Sequence, residues 1–364
     1  MQISEISNFL EQYAPLSSQE SYDNCGLLLG QPSKEINSAL ICLDCTEEII
    51  EEAIEKGCNL VIAHHPVIFS GVKKLNGSNY VERTIIKAIE NKIAIYAIHT
   101  NLDNQLNGVN FEIANRLQLK NLSILAPKEN TLSKAVVYVP ITHTQEVLDK
   151  LFELGFGTIG EYSNCSFQSE GIGTFQPSDK ANPFIGKQNE TTKVSESRVE
   201  LLLKNNQINS FLSTLKKIHP YEEVAYEIVP IKNIDKNEGS GMVGFLEQEM
   251  DEHSFLKLLK ETFQCGIIRH TNLLNKPIKK VAFCGGSGSF LLEKAKKEKA
   301  DIFITGDYKY HDFFDAENEI IIADIGHFES EQYTTNLLAD ILTKKFPTFA
   351  FEITGIKTNP INYF

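Results

Sequence analysis

Residues 280–308 can be set under residues 38–66 without a gap, at an offset of 242 positions. Cys284 then falls under Cys42, Leu291 and Leu292 under Ile49 and Ile50, and Ala295 under Ala53. The apolar run 301–304 falls under 59–62, and the turn His64-His65-Pro66 meets Gly306 and Asp307. A second match follows in the same order. Residues 320–325, IIIADI, resemble 93–98, IAIYAI, and both run into polar turns that contain histidine. Two matches in one order read as an internal duplication, so two related α/β halves facing each other are expected.

The punctuation of apolar runs gives the elements. In the first half, strands are expected at 39–43, 60–63 and 93–98, with helices at 47–56 and 81–91. Apolar strands separated by helices imply a parallel sheet covered on both faces. The middle of the chain reads differently: strands at 134–139, 171–175, 198–203 and 223–230, helices at 144–154 and 206–218, and a glycine turn at 155–160. The order β-α-β-β-α-β is the ferredoxin-like pattern. Polar stretches flank it, APKEN before and KNIDKNEGSG after, and read as linkers. The expected fold is therefore α/β. The halves 1–127 and 238–364 would form one core, with an inserted α+β ferredoxin-like domain at 131–234.

Composition narrows the function classes. No apolar run approaches the ~20 residues of a membrane span. The start of the chain, MQISEISNFLEQYAPL, carries Glu5 and Glu11 and reads as an amphipathic helix, not a signal peptide. A net charge of -13 argues against a nucleic-acid partner held by phosphate neutralisation. It leaves a nucleotide substrate open, because a metal supplies positive charge locally. The 7 cysteines, odd in number and scattered, suggest reduced thiols in a cytoplasmic protein. Cys42 and Cys45 form a lone C-x-x-C with no second pair to complete a zinc site, so small buried hydrophobes are expected there.

The chemistry gathers where strands end. His64 and His65 follow a buried strand, and in open α/β sheets sites collect beyond the carboxyl ends of strands. Taken alone, such a pair is more often a strand cap than a metal site. The next strand runs into His99-Thr100-Asn101-Leu102-Asp103, where Asp103 can also serve as a turn residue. In the second half, IIIADIGHFESE ends with His327 and Glu331, which lie one turn apart on a helix face. The plain alternative is a solvated first turn. The joint placement carries more than any one element. Three imidazoles and two carboxylates, all expected beyond strand ends, suit a dinuclear site with open positions. The mixed N/O set is compatible with Zn, Mn, Fe, Co or Ni.

Five stretches carry a resemblance: DNCGL at 23–27, NLVIAHHP at 59–66, HTNLD at 99–103, TGDYKYH at 305–311 and DIGHFESE at 324–331. Together and in this order they resemble the dinuclear-metal-centre family, known as GTP cyclohydrolase I type 2 homologues and as NGG-interacting-factor-three-like proteins. The similarity covers about 1–127 and 238–364. It implies metal ligands at His64, His65, Asp103, His327 and Glu331, with Glu331 bridging two divalent cations per subunit (Zn, Mn or Fe). It further implies a hydrolase acting on a small-molecule substrate such as a nucleotide, and a ring-shaped homohexamer. His99, Asp44, Asp307 and His311 are weaker candidates, for holding the ligands or moving protons (His99 or Asp307 as the relay), with plain hydrogen bonding at strand ends as the alternative. The middle segment, with GTFQPSDKANPFIG, ESRVE and HPYEEV, resembles the insert of longer bacterial members. A metal-binding regulatory protein without turnover is the competing expectation. Two further signals are weak. CGGSGSF at 284–290 reads as a tight turn and lacks the Lys-Ser/Thr ending of a P-loop. His219-Pro220-Tyr221 either starts a strand or touches a ligand.

Overall fold

A computed structural model describes residues Met1–Phe364. The duplication is visible in strand register. Ser38–Asp44 pairs in parallel with Leu60–His65, Ala39 opposite Leu60. In the second half Ile278–Ser287 pairs in parallel with Ile302–Gly306, Val281 opposite Ile302. Positions 281 and 302 lie 242 residues beyond 39 and 60, the offset of the sequence match. The next pairing repeats as well. Leu60 stands opposite Ala94 on strand Ala94–Ala97, and Ile302 opposite Ile321 on strand Ile321–Asp324. Positions 94 and 321 correspond in the second sequence match.

Each parallel triplet carries an antiparallel strand on the same edge, Gly26–Leu29 in the first sheet and Arg269–His270 in the second. The other edges are exchanged between the halves. The first sheet is completed by Ala350–Ile353, from the end of the chain. The second is completed by Gly239–Met250 and then by Lys120–Pro127, from the first half. The sequence-based halves thus each lend a strand to the other. The flanking stretches expected as linkers are partly strand: Gly239 pairs with Pro127 and Ser240 with Ala126.

Both sheets are covered on two faces, which explains why their strands are continuously apolar. Ala39, Ile41, Leu60 and Ile62 pack with helices Ile3–Tyr13 and Thr334–Lys345. Leu40, Cys42, Val61 and Ala63 face the other way, onto helices Glu47–Glu55 and Tyr80–Glu90. Cys42 and Cys45 are buried in that layer as small hydrophobes, and all the cysteines are free. In the second sheet, Phe283, Ile302 and Ile304 pack with Val109–Arg116 and Glu252–Thr262. Helix exchange therefore accompanies strand exchange. No helix is long and apolar enough to cross a membrane.

The chain divides into residues 1–127 with 236–364, and residues 128–235. The second unit has the element order β-α-β-β-α-β. Its antiparallel strands run Phe167–Phe175, Thr192–Lys204, Leu132–Pro140, Tyr226–Pro230 across the sheet. Helices Thr144–Glu153 and Ile208–Ile218 bury Leu148, Leu151, Phe211 and Leu215 on one face, against Val137, Val199 and Leu201.

Candidate metal centre

The strand Leu60–His65 ends with His64 fully buried and His65 partly so. Neighbours on a strand point apart, but at this strand end the two ring centroids lie 4.8 Å apart. Ala94–Ala97 runs into His99 and the short helix Thr100–Asp103. From the second sheet, Ile321–Asp324 turns through Gly326 into helix His327–Glu331. Gly326 has φ +95°, which glycine adopts without strain. The i,i+4 spacing then puts His327 Nε2 3.0 Å from Glu331 Oε2.

Glu331 is the hub. Its Oε2 lies 3.0 Å from His65 Nε2 and 3.8 Å from His64 Nε2. His64 Nε2 lies 3.6 Å from Asp103 Oδ1, and His65 Nε2 3.3 Å from His327 Nε2. Three groups each keep their ligand atoms within 4.8 Å of one another: His65, His327 and Glu331; His64, Asp103 and Glu331; His64, His65 and His99. The five residues singled out in the sequence are thus brought together, and His99 joins them.

The outward nitrogens of the imidazoles are all occupied. His64 Nδ1 donates to the Ile98 carbonyl at 2.8 Å. His65 Nδ1 donates to Asp44 Oδ1 at 2.7 Å, and the Thr358 hydroxyl donates to the other oxygen of Asp44 at 2.6 Å. His327 Nδ1 donates to Asp307 Oδ2 at 2.7 Å, and His99 Nδ1 to Asp23 Oδ1 at 2.9 Å. Carboxylate or carbonyl partners on the far nitrogen are what orients metal-ligating imidazoles and fixes their tautomer. Asp44 and Asp307 thus orient His65 and His327. Asp23 had no assigned role, although it lies in the DNCGL stretch. Only the fold shows that it holds His99 and also accepts from the Thr100 backbone at 3.0 Å. His311 lies apart, exposed, with its ring against Tyr310 and Phe314.

The donor set fits a cation. His64 Nε2 and Asp103 Oδ1 are buried and have no hydrogen-bond partner. With its proton on Nδ1, His64 turns a lone pair toward two carboxylate oxygens, an arrangement that is costly unless a positive charge lies among them. Ligands about 2.0–2.2 Å from one tetrahedral ion sit roughly 3.3–3.6 Å apart, close to the spacings here. Without an ion, protons answer the same field. Burial opposes a charge on His65, but hydrogen bonds to Asp44 and Glu331 raise it to about 9. Burial is likewise overcome at His327, which the charge of Glu331 and the bond to Asp307 raise to about 11. Burial and then Glu331 push Asp103 up to about 7. Glu331 itself is held well below the carboxylate range: His327 and the other imidazoles outweigh its burial.

The CGGSGSF stretch makes room for this cluster. A Cβ on Gly286, at φ +62°, would sit 2.4 Å from Glu331 Oε1. The Gly286 amide donates to the Ser330 hydroxyl and the Gly288 amide to the Thr305 hydroxyl, both at 2.9 Å. These amides are therefore used within the chain and leave no anion cradle. His65, Asp103, His327 and Glu331 open onto a cavity of about 550 Å³, whose wall includes Tyr22, Phe69, Phe290 and Phe328. Asn359, Pro360 and Ile361 of the C-terminal tail close one side.

A family model described as Duf34/NIF3 (NGG1p interacting factor 3) matches residues 1–360. A "GTP cyclohydrolase 1 type 2 homolog" of Bacillus subtilis is 37% identical over 365 residues, covering 99% of this chain and 98% of that protein. One of Staphylococcus epidermidis is 36% identical over 371 residues, covering 100% of both. Among solved structures, a Bacillus cereus protein related to NIF3 superposes with a TM-score of 0.87 at 34% identity, over 100% of this chain and 99% of that one. A Staphylococcus aureus protein superposes with a TM-score of 0.79 at 32% identity and the same coverage.

Proposed function

We propose that this chain, which belongs to the Duf34/NIF3 family, holds two divalent cations and hydrolyses a nucleotide or a similar small molecule with them. The observation that carries the reading is the orphaned pair, His64 Nε2 and Asp103 Oδ1, buried inside a ring of imidazoles whose outer nitrogens are all taken. His64, Asp103 and Glu331 would hold one cation and His65, His327 and Glu331 the other, Glu331 being shared. Zn, Mn and Fe all suit three nitrogens and two carboxylates. When bound, such a pair supplies Lewis acidity and a water of lowered pKa. His99, held by Asp23, is placed to take or give a proton at its inner nitrogen. Asp307 lines the cavity and is tied to His327, through which it can share a proton. The aromatic wall would seat a planar ring by stacking. The relatives' name supports a purine nucleotide, by analogy only.

A second reading, a metal-binding regulator without turnover, draws on the unit 128–235. We read it as the ferredoxin-like insert from its strand order, and it has a cavity of its own. The test is to strip the full chain, reload it with Zn, Mn or Fe, and measure metal content together with formate or phosphate released from nucleotides. Two bound ions and turnover, both lost in His64→Ala and Glu331→Ala, support the hydrolase. Two bound ions without turnover across a nucleotide panel select the regulator. Undiminished metal content in both variants overturns the site.

A further inference from the structure

The unit 128–235 encloses a second cavity, of about 360 Å³, whose lining is aromatic and acidic. Phe175, Phe184 and Tyr221 supply rings. Tyr221 lies 6.0 Å from Phe175 and 6.5 Å from Phe184, both at steep angles. Glu196, Glu222 and Glu223 supply carboxylates, and no lysine, arginine or histidine lines the space. Rings that present their faces around carboxylates make a cavity attractive to positive charge and unattractive to anions.

Glu196 is the decisive group. It is buried, on the strand Thr192–Lys204, and accepts a hydrogen bond from the Tyr221 hydroxyl at 2.9 Å. Its other oxygen lies where a Cβ of Gly173 would come within 2.0 Å, so the absence of a side chain at 173 makes room for the carboxylate. A buried carboxylate beside one phenol, with no cation of the chain on the cavity wall, retains capacity to accept from a donor that enters the cavity. Tyr221 is itself fixed from behind. Its backbone amide donates to His219 Nδ1 at 3.1 Å, and His219 Nε2 donates to the Tyr138 carbonyl at 3.1 Å. The imidazole thus uses both nitrogens and stays neutral, its protonation disfavoured first by burial. This accounts for the His-Pro-Tyr motif: the histidine sets the tyrosine, and the tyrosine sets the glutamate. Burial, then Glu196, push the Tyr221 phenol upward, so it remains a donor near neutral pH.

We propose that this cavity binds a small organic cation carrying N–H groups, an alkylguanidinium or alkylammonium. Its charged head would be donated to Glu196 and its faces covered by Phe175, Phe184 and Tyr221. Guanidinium suits both features, since it is planar for stacking and forked for a carboxylate.

The test is isothermal titration of the full chain with n-butylguanidinium, with n-butylurea as the neutral isostere and butyrate as the anion. The expected result is guanidinium binding that exceeds urea binding at least tenfold, with no binding of butyrate. Glu196→Gln should weaken guanidinium binding by about tenfold or more. Phe184→Ala, at a half-exposed position, should weaken it roughly five- to tenfold. The proposal is overturned if guanidinium shows no binding up to roughly 10 mM. Equal binding of urea, or binding unchanged in Phe184→Ala, overturns it as well. Because Phe184→Ala and the urea comparison do not disturb Glu196, the outcome does not hang on Glu196→Gln folding.

Discussion

Replacing Gly286 by alanine tests the proposed metal centre without replacing any of its candidate ligands. Two effects can be worked from the structure. Gly286 has φ +62°, where an alanine costs about 1–2 kcal/mol relative to its preferred backbone. The new Cβ would also stand 2.4 Å from Glu331 Oε1, 3.2 Å from Glu331 Cδ and 3.3 Å from His327 Cε1. The carboxylate must retreat by about 1 Å to restore van der Waals contact. It cannot swing into solvent, because Glu331 is 2% exposed and tied to His65 and His327. A displacement of that size is expected to weaken metal binding about 100-fold. At free metal about 100 times the wild-type Kd, stabilisation by metal then falls from about 2.7 to about 0.4 kcal/mol. In thermal unfolding, the metal-induced rise in Tm should shrink from roughly 5–11 °C to about 1–2 °C. Gly57→Ala is the control: φ is +69° there, and nothing lies within 4 Å of the added Cβ. It should lower Tm by backbone strain yet keep the full metal response. A Gly286→Ala protein whose metal-induced shift matches wild type would refute the fixed position and the bridging role of Glu331.

Other outcomes follow from the same contacts. Asp44→Asn leaves every ligand in place but weakens the brace on His65 Nδ1, so metal affinity should drop about 10- to 100-fold, read by competition with a chelating dye. The metal response should also depend on pH. His65 is raised to about 9 in the metal-free fold, so its contribution to stability is full below about pH 6.5 and is lost as pH rises through 9. Metal must displace that proton, so the metal-induced gain in Tm should grow between about pH 6.5 and 9; a flat gain would exclude His65 as a ligand. In the unit 128–235, Phe211 is fully buried and meets Phe156 at 5.4 Å, edge to face. Phe211→Ala should cost about 3–5 kcal/mol in that unit by denaturant unfolding, with metal content of the chain unchanged.

Local pattern was enough for much of this protein. A strand buried on both faces must be apolar throughout, and a helix must repeat at 3.6, so the repeat at 38–66 and 280–308 already implied that both halves share one register; the structure shows it as Ala39 opposite Leu60 and Val281 opposite Ile302. The candidate ligands stood out for a related reason: His64 and His65 close one strand, while His327 and Glu331 are related by helical spacing alone. What the tertiary structure decided are pairings between short segments far apart in sequence, which leave no local signature. Lys120–Pro127 crosses to the second sheet and Ala350–Ile353 to the first. Asp23 reaches His99, Thr358 reaches Asp44, and Gly286 clears the space that Glu331 occupies. His311, five residues beyond the end of the strand Ile302–Gly306, lies with its ring against Tyr310 and Phe314. Residue type and spacing chose the groups able to bind a cation; long-range packing chose which of them share one space, since distance in that space is set by the exchanged sheets and by no single stretch of chain.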